Sequence, residues 1–155
     1  MESATQQAKR ISRFMELLPS GEDTTLVVLK GHLLLEELLT DIIEITLKTR
    51  NPLRITVTQN MMFARKLELC WALSQSESVP EQAWQSLKCL NAVRNKMSHH
   101  VEPSGISDSI NNFIRDVRSH DSFGLIDCSD VRKLELAICC LYVIFNEHLH
   151  ALTNS

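Results

Sequence analysis

Glycine and proline are scarce in this sequence, with four of each among 155 residues. An all-β chain needs those residues at its many tight turns. The scarcity therefore excludes a turn-rich sandwich or barrel and favours long helices. A basic surplus is also missing, since the net charge is −3 with 23% charged residues. General phosphate binders are usually basic, so any contact with nucleic acid has to come from a local cluster. The cysteines, at 70, 89, 128, 139 and 140, are odd in number and contain no Cys-x-x-Cys pair. That spacing fits neither a disulfide framework nor a zinc site, and the five read as small buried hydrophobes in a reducing cytoplasm. Long uninterrupted apolar runs are absent too. Residues 26–47 are rich in Leu and Ile but repeatedly broken by polar residues, and the first ten lack the apolar stretch of a signal peptide. A cytoplasmic chain with no membrane span and no cofactor is expected.

What is present is apolar material in helical order. Hydrophobic residues make up 44% of the chain, enough for one core, and no repeat, low-complexity segment or domain boundary interrupts it. Residues 1–155 are expected to form a single domain, with 1–20 as an N-terminal helix or arm. An amphipathic stretch over 4–18 ends before Pro19, and Asp23 or Thr24 can cap a long helix that runs to about 48 and stops at Asn51-Pro52. The β-branched run 55–58 reads as an extended connector, with Thr58 able to cap a helix over 59–73 that carries Met62, Lys66, Leu69 and Leu73 at helical spacing. A polar linker over 74–79 leads to Pro80 and a helix reaching about 100. A shorter helix over 107–118 lines up Ile110, Phe113, Ile114 and Val117, a loop follows over 119–127, and a last helix over 129–152 carries Leu134, Ile138, Leu141, Phe145, Leu149 and Leu152 as a packed seam. The expected fold class is all-α, an antiparallel bundle of about five to six helices.

The helix over 80–100 carries the functional signal. On a wheel, Cys89, Leu90, Val93, Met97 and Val101 fall on one side. Asn91, Arg94, Asn95 and Ser98 fall on the other, with His99 at the edge of that arc. Metal-free cleavage of RNA needs a base for the 2′-hydroxyl proton, an acid for the leaving oxygen, and positive charge on the phosphorane. Histidine suits the first two roles near neutral pH, and arginine offers permanent charge with forked donors. His99 and His100 also lie near a helix C-terminus, where the dipole favours imidazolium. The plainer reading of the same residues is a solvated, basic helix end.

Arg94-Asn95-Lys96-Met97-Ser98-His99 resembles the Arg-x4–6-His signature of HEPN domains, in which a polar residue often follows the Arg. The segments Phe63-Ala64-Arg65-Lys66-Leu67-Glu68-Leu69 and Leu90-Asn91-Ala92-Val93-Arg94-Asn95-Lys96 resemble the mannitol-operon-repressor-like branch of that superfamily. The likeness spans about 24–152, with its specific residues concentrated in the motif. It implies a metal-independent endoribonuclease, often a toxin or antiviral effector, in which two motifs face each other across a homodimer and form one RNA cleft. Arg94 would then stabilise the phosphate and His99 would act as general acid or base. Asn95 would orient the pair or the substrate, and the products would carry 2′,3′-cyclic phosphate and 5′-hydroxyl ends. Lys96, Ser98 and His100 are supporting candidates. Two departures stand out: Val101 occupies a position where some toxin members carry tyrosine, and the adjacent His100 leaves both x4 and x5 spacings open.

Two alternatives stay beside the nuclease. One is a non-catalytic regulator or adaptor of the same superfamily, binding a protein partner, which the acidic net charge suits. The other is a subunit of a toxin–antitoxin or defence assembly, active only with its partner. His32 and Glu36, four apart, share a side with Leu39 and Ile43. Either Glu36 reaches and holds Arg94, as the resemblance implies, or the two form a partly exposed helical pair. His120, Asp121, Asp127 and Cys128 match no metal-ligand spacing, and His148 and His150 point to different faces. Trp71 and Trp84 are expected in the core or at a dimer interface.

Overall fold

The computed structural model describes residues 4–21, 23–58, 60–74 and 78–155. Among the described residues there are six α-helices: α1 (Ala4–Leu17), α2 (Thr24–Thr49), α3 (Phe63–Leu73), α4 (Glu81–His99), α5 (Ile106–Arg118) and α6 (Lys133–Asn154). A short 3₁₀ turn, Ile126–Cys128, precedes α6. The chain is an all-α bundle around one apolar core.

The centre of the bundle is the pair α2 and α6. α2 buries Val27, Val28, Leu34, Leu35, Leu38, Leu39, Ile42 and Ile43, a 3–4 spacing that continues over most of its length. Its start is fixed by Asp23, whose carboxylate accepts from the Thr25 and Leu26 backbone N–H groups at 2.8 and 3.4 Å. The α6 seam is buried at Leu134, Ile138, Leu141, Phe145 and Leu149, with Leu152 half-buried at its end. By length and composition α6 could cross a bilayer, yet half of that apolar window is buried inside the bundle. The two helices approach closely at Gly31: a Cβ there would lie 2.8 and 2.9 Å from Cγ2 and Cδ1 of Ile138.

The other helices pack around this pair. Phe14 of α1 is buried and stacks on Tyr142 of α6, with ring centroids 4.2 Å apart. α3 packs on α4, where the rings of Trp71 and Trp84 stack nearly parallel with centroids 5.8 Å apart. Trp84 is buried and also meets the edge of Phe145, while half-buried Trp71 carries Lys88 over its ring at 5.4 Å. Phe113 and Val117 anchor α5, with Ile110 and Ile114 half-buried beside them. Its first turn follows Gly105, whose φ of +68° lies in the left-handed region that glycine adopts without strain.

Three expectations need correction. α3 begins at Phe63, four residues later than expected, and Met62 precedes it with its side chain 77% exposed. Thr58 does not cap it. The Thr58 carbonyl instead accepts from the Met61 N–H at 3.1 Å, while Asn51 braces the preceding loop, donating to the Ile55 carbonyl at 2.7 Å and accepting from the Ile55 N–H at 2.8 Å. The expected starting residue, Gln59, lies outside the described residues, as do 75–77 of the expected linker. α6 begins at Lys133 rather than 129 because the Asp121 carboxylate accepts from the Ile126 N–H at 2.9 Å and supports the 3₁₀ turn that buries Ile126. Of the five free cysteines, Cys70 and Cys140 are buried and Cys89 and Cys139 half-buried, but Cys128 is exposed at the end of that turn. Burial pushes the Cys70 and Cys140 thiols up to about 12, which keeps them uncharged.

The Gly31 crossing gives a direct stability test. Replacing a helical Gly by Ala gains roughly 1 kcal/mol in propensity, whereas overpacking a close crossing costs about 1–3 kcal/mol. Gly31→Ala is expected to lower the stability by about 1 kcal/mol in urea denaturation. Adding Ile138→Val, which removes Cδ1, is expected to recover part of that loss.

Candidate functional site

Most polar residues expected to act lie on the C-terminal half of α4. Arg94 and Asn95 are half-buried there, while Lys96, Ser98, His99 and His100 are exposed. Arg94 Nη1 donates to Asn95 Oδ1 at 3.2 Å, and Ser98 Oγ donates to the Arg94 carbonyl at 3.0 Å. Lys96 turns the other way and reaches Ser109 Oγ of α5 at 2.9 Å. His99 is the last helical residue. At His100 the backbone becomes extended (φ −137°), with its N–H still bonded to the Lys96 carbonyl. Val101 therefore leaves the helix and is fully exposed, not on the core face expected of it. Arg94 and His99 are five residues apart, which on a helix separates them by about 140° around the axis and about 7.5 Å along it. One chain thus presents its guanidinium and its imidazole in different directions.

Beside this helix end is a cleft of about 610 Å³ between the first turn of α2, the end of α4 and the start of α5. Met97, His100, Val101, Pro103, Ile106 and Ile110 form much of its wall, with Thr24 and Thr25 across from them. His100 opens into it. Arg94, Asn95 and His99 are not part of its lining.

Glu36 does not hold Arg94. Its carboxylate pairs with Lys66 Nζ of α3 at 2.9 Å, with side chains 23% and 9% exposed. The physical reason is the packing of α3 on α2, which brings the buried ammonium to Glu36 as its counter-charge. Nor do His32 and Glu36 form a helical pair. His32 is buried, its Nε2 lies 3.0 Å from Asn91 Oδ1 of α4, and its ring sits on Phe63 with centroids 4.0 Å apart. The sequence signal for the ion pair was a lysine at position 66 on an otherwise apolar helical face.

The remaining histidines serve other contacts. His120 Nε2 meets Ser86 Oγ at 3.0 Å, Asp121 supports the 3₁₀ turn, and Asp127 pairs with Arg118 at 3.3 Å. Among the described residues, no group of three His, Cys, Asp or Glu side chains is arranged to hold a metal ion. His148 is buried with both ring nitrogens on serine hydroxyls, Ser74 at 3.2 Å and Ser78 at 2.9 Å, which ties α6 to the α3–α4 connection. His150 lies against Asn154 at the chain end. Neither a family model, a curated protein nor a solved structure matches this chain.

Two measurements follow from these charges. Lys66→Met leaves the Glu36 carboxylate without its counter-charge and is expected to cost about 1–3 kcal/mol in urea denaturation, with most of it regained on adding Glu36→Leu. Burial holds His32, His120 and His148 below the ordinary imidazole range. The neutral ring is therefore the native form, and the unfolded chain binds more protons below about pH 6.5. Stability is complete above that pH and is lost as pH falls toward the depressed native values. The free energy of unfolding in urea is expected to fall between pH 7.5 and 5.5, by up to about 1.4 kcal/mol per pH unit for each of the buried His32 and His148, and His148→Gln is expected to flatten the profile.

Proposed function

We propose that this chain is a metal-independent endoribonuclease of HEPN type, working as a homodimer in a toxin or antiviral defence role. The observation that carries the reading is the state of Arg94. Among the described residues, five ion pairs engage other cations: Arg13–Glu37, Arg65–Glu68, Lys66–Glu36, Arg118–Asp127 and Lys133–Asp130. Among the described residues no carboxylate pairs with Arg94, whose half-buried guanidinium is steadied by the neutral amide of Asn95. A cation held this way keeps its charge for an incoming anion.

The chemistry needs no group from outside the chain. The RNA 2′-oxygen attacks the neighbouring phosphorus as its proton passes to a base. The P–O5′ bond breaks as an acid protonates the leaving oxygen. The ends are a 2′,3′-cyclic phosphate and a 5′-hydroxyl. His99 of one subunit takes the proton from the 2′-oxygen and returns it to the leaving 5′-oxygen, Arg94 of the other takes the charge on the non-bridging oxygens, and Asn95 orients Arg94. The wide angle between Arg94 and His99 on one helix favours a cleft assembled from two copies, where a guanidinium from one and an imidazole from the other converge. A non-catalytic regulator that binds a protein partner is the second reading, favoured by the net charge of −3.

The test is single-stranded RNA incubated with purified protein in EDTA. Wild type is expected to leave cyclic-phosphate ends, and Arg94→Ala and His99→Ala are each expected to slow cleavage by about 10²–10⁴-fold. Cleavage that is absent, or equal in all three proteins, overturns the nuclease and leaves the regulator.

A further inference from the structure

We infer that His32 is a positioning residue for Arg94, acting through Asn91; the inference rests on the reading of Arg94 and His99 as the nuclease site. An imidazole in this place needs an explanation. His32 lies among the apolar residues Val28, Leu35 and Leu39 on α2, and a leucine would fill the same space with no polar atoms to satisfy. The ring instead joins three helices. It rides on α2, stacks on Phe63 at the start of α3, and makes its hydrogen bond to Asn91 of α4. Because Asn91 presents its carbonyl oxygen, Nε2–H of a neutral ring donates and Oδ1 accepts.

Asn91 is three residues before Arg94, so the two are neighbours on one face of α4. The guanidinium of Arg94 lies within electrostatic reach of the ring and opposes its protonation. Glu36, one turn along α2, acts in the other direction but is itself engaged by Lys66. Apolar packing seats Ala83, Leu87, Leu90 and Val93 of α4 in the core but tolerates small rotations about the helix axis. A directional bond at Asn91 fixes that rotation, and with it the aim of Arg94 and Asn95. Misplacing a reacting group by about 1 Å can cost around 10²-fold in rate, so such a bond has leverage on catalysis without touching substrate.

The experiment compares wild type, His32→Leu, His32→Gln and Asn91→Ala. Gln can return a donor near the Nε2 position; Leu cannot. In EDTA, His32→Leu and Asn91→Ala are expected to lower kcat at least about tenfold with KM within about twofold, and His32→Gln to recover most of kcat. Asn91→Ala removes the same bond from a half-buried site, so it carries the test if His32→Leu fails to fold. In parallel, the Arg94 Nε–H resonance in ¹⁵N NMR is expected to be dispersed in wild type and His32→Gln and to collapse to the solvent-averaged position in the other two. Unchanged kcat and an unchanged Arg94 signal in His32→Leu and Asn91→Ala overturn the inference, as does a His32→Gln variant no better than Leu. If wild type cuts no RNA, the proposed function fails, and the Arg94 resonance alone still decides whether His32 positions it.

Discussion

α2 buries ten of its 26 residues in the core, yet two consecutive turns of its inward side carry polar groups, His32 and Glu36. Each has to be met by a partner on another helix, because a polar atom removed from water without a bond costs several kcal/mol in an apolar environment. The partners come from different helices: Asn91 of α4 for His32, and Lys66 of α3 for Glu36. Hydrophobic packing has no hydrogen-bond direction of its own, so it leaves small rotations of α3 and α4 against α2 open. Two directional contacts, one turn apart, narrow them. The stack of Trp71 on Trp84 joins the same two helices, α3 and α4, and α5 packs on α4.

That orientation sets what the end of α4 presents. Val93 and Leu90 stay buried, Arg94 and Asn95 come to the edge, and Ser98 and His99 reach solvent. On the proposed reading the helix end is half of a catalytic cleft, and its incompleteness in one chain is a consequence of helical geometry. A guanidinium and an imidazole about 140° apart on one axis cannot both face the same phosphate without a second copy or a large side-chain excursion.

Much of the fold was legible in the sequence. The 3–4 spacing from Leu134 to Leu149, the cap at Asp23 and the stop before Pro52 report forces that act within one helix. What was hidden depends on neighbours. A helical wheel assigns Glu36 a face but not the helix packed on that face, so its partner Lys66 could not be read from position alone. The same holds for the bond of His32 to Asn91, 59 residues away. The late start of α3 was missed because the Thr58 backbone carbonyl, and not its side chain, takes the Met61 N–H, a local backbone contact that residue types alone do not reveal. Val101 followed the apolar periodicity on paper, but the chain leaves the helix at His100 before that periodicity can place it. The candidate residues Arg94, Asn95, Ser98 and His99 were legible because they are contiguous on one helix; only the support beneath them was not.

The central claim is that Arg94 and His99 act on one phosphate from two copies of the chain. It is tested most directly by mixing. Arg94→Ala and His99→Ala proteins, each inactive alone, are co-refolded in equal amounts and assayed on RNA in EDTA. A composite cleft predicts that the mixture regains cleavage, because the mixed dimer still contains one intact guanidinium and one intact imidazole at the shared site. A mixture as inactive as its two components, despite mixed dimers in native mass spectrometry, would contradict it.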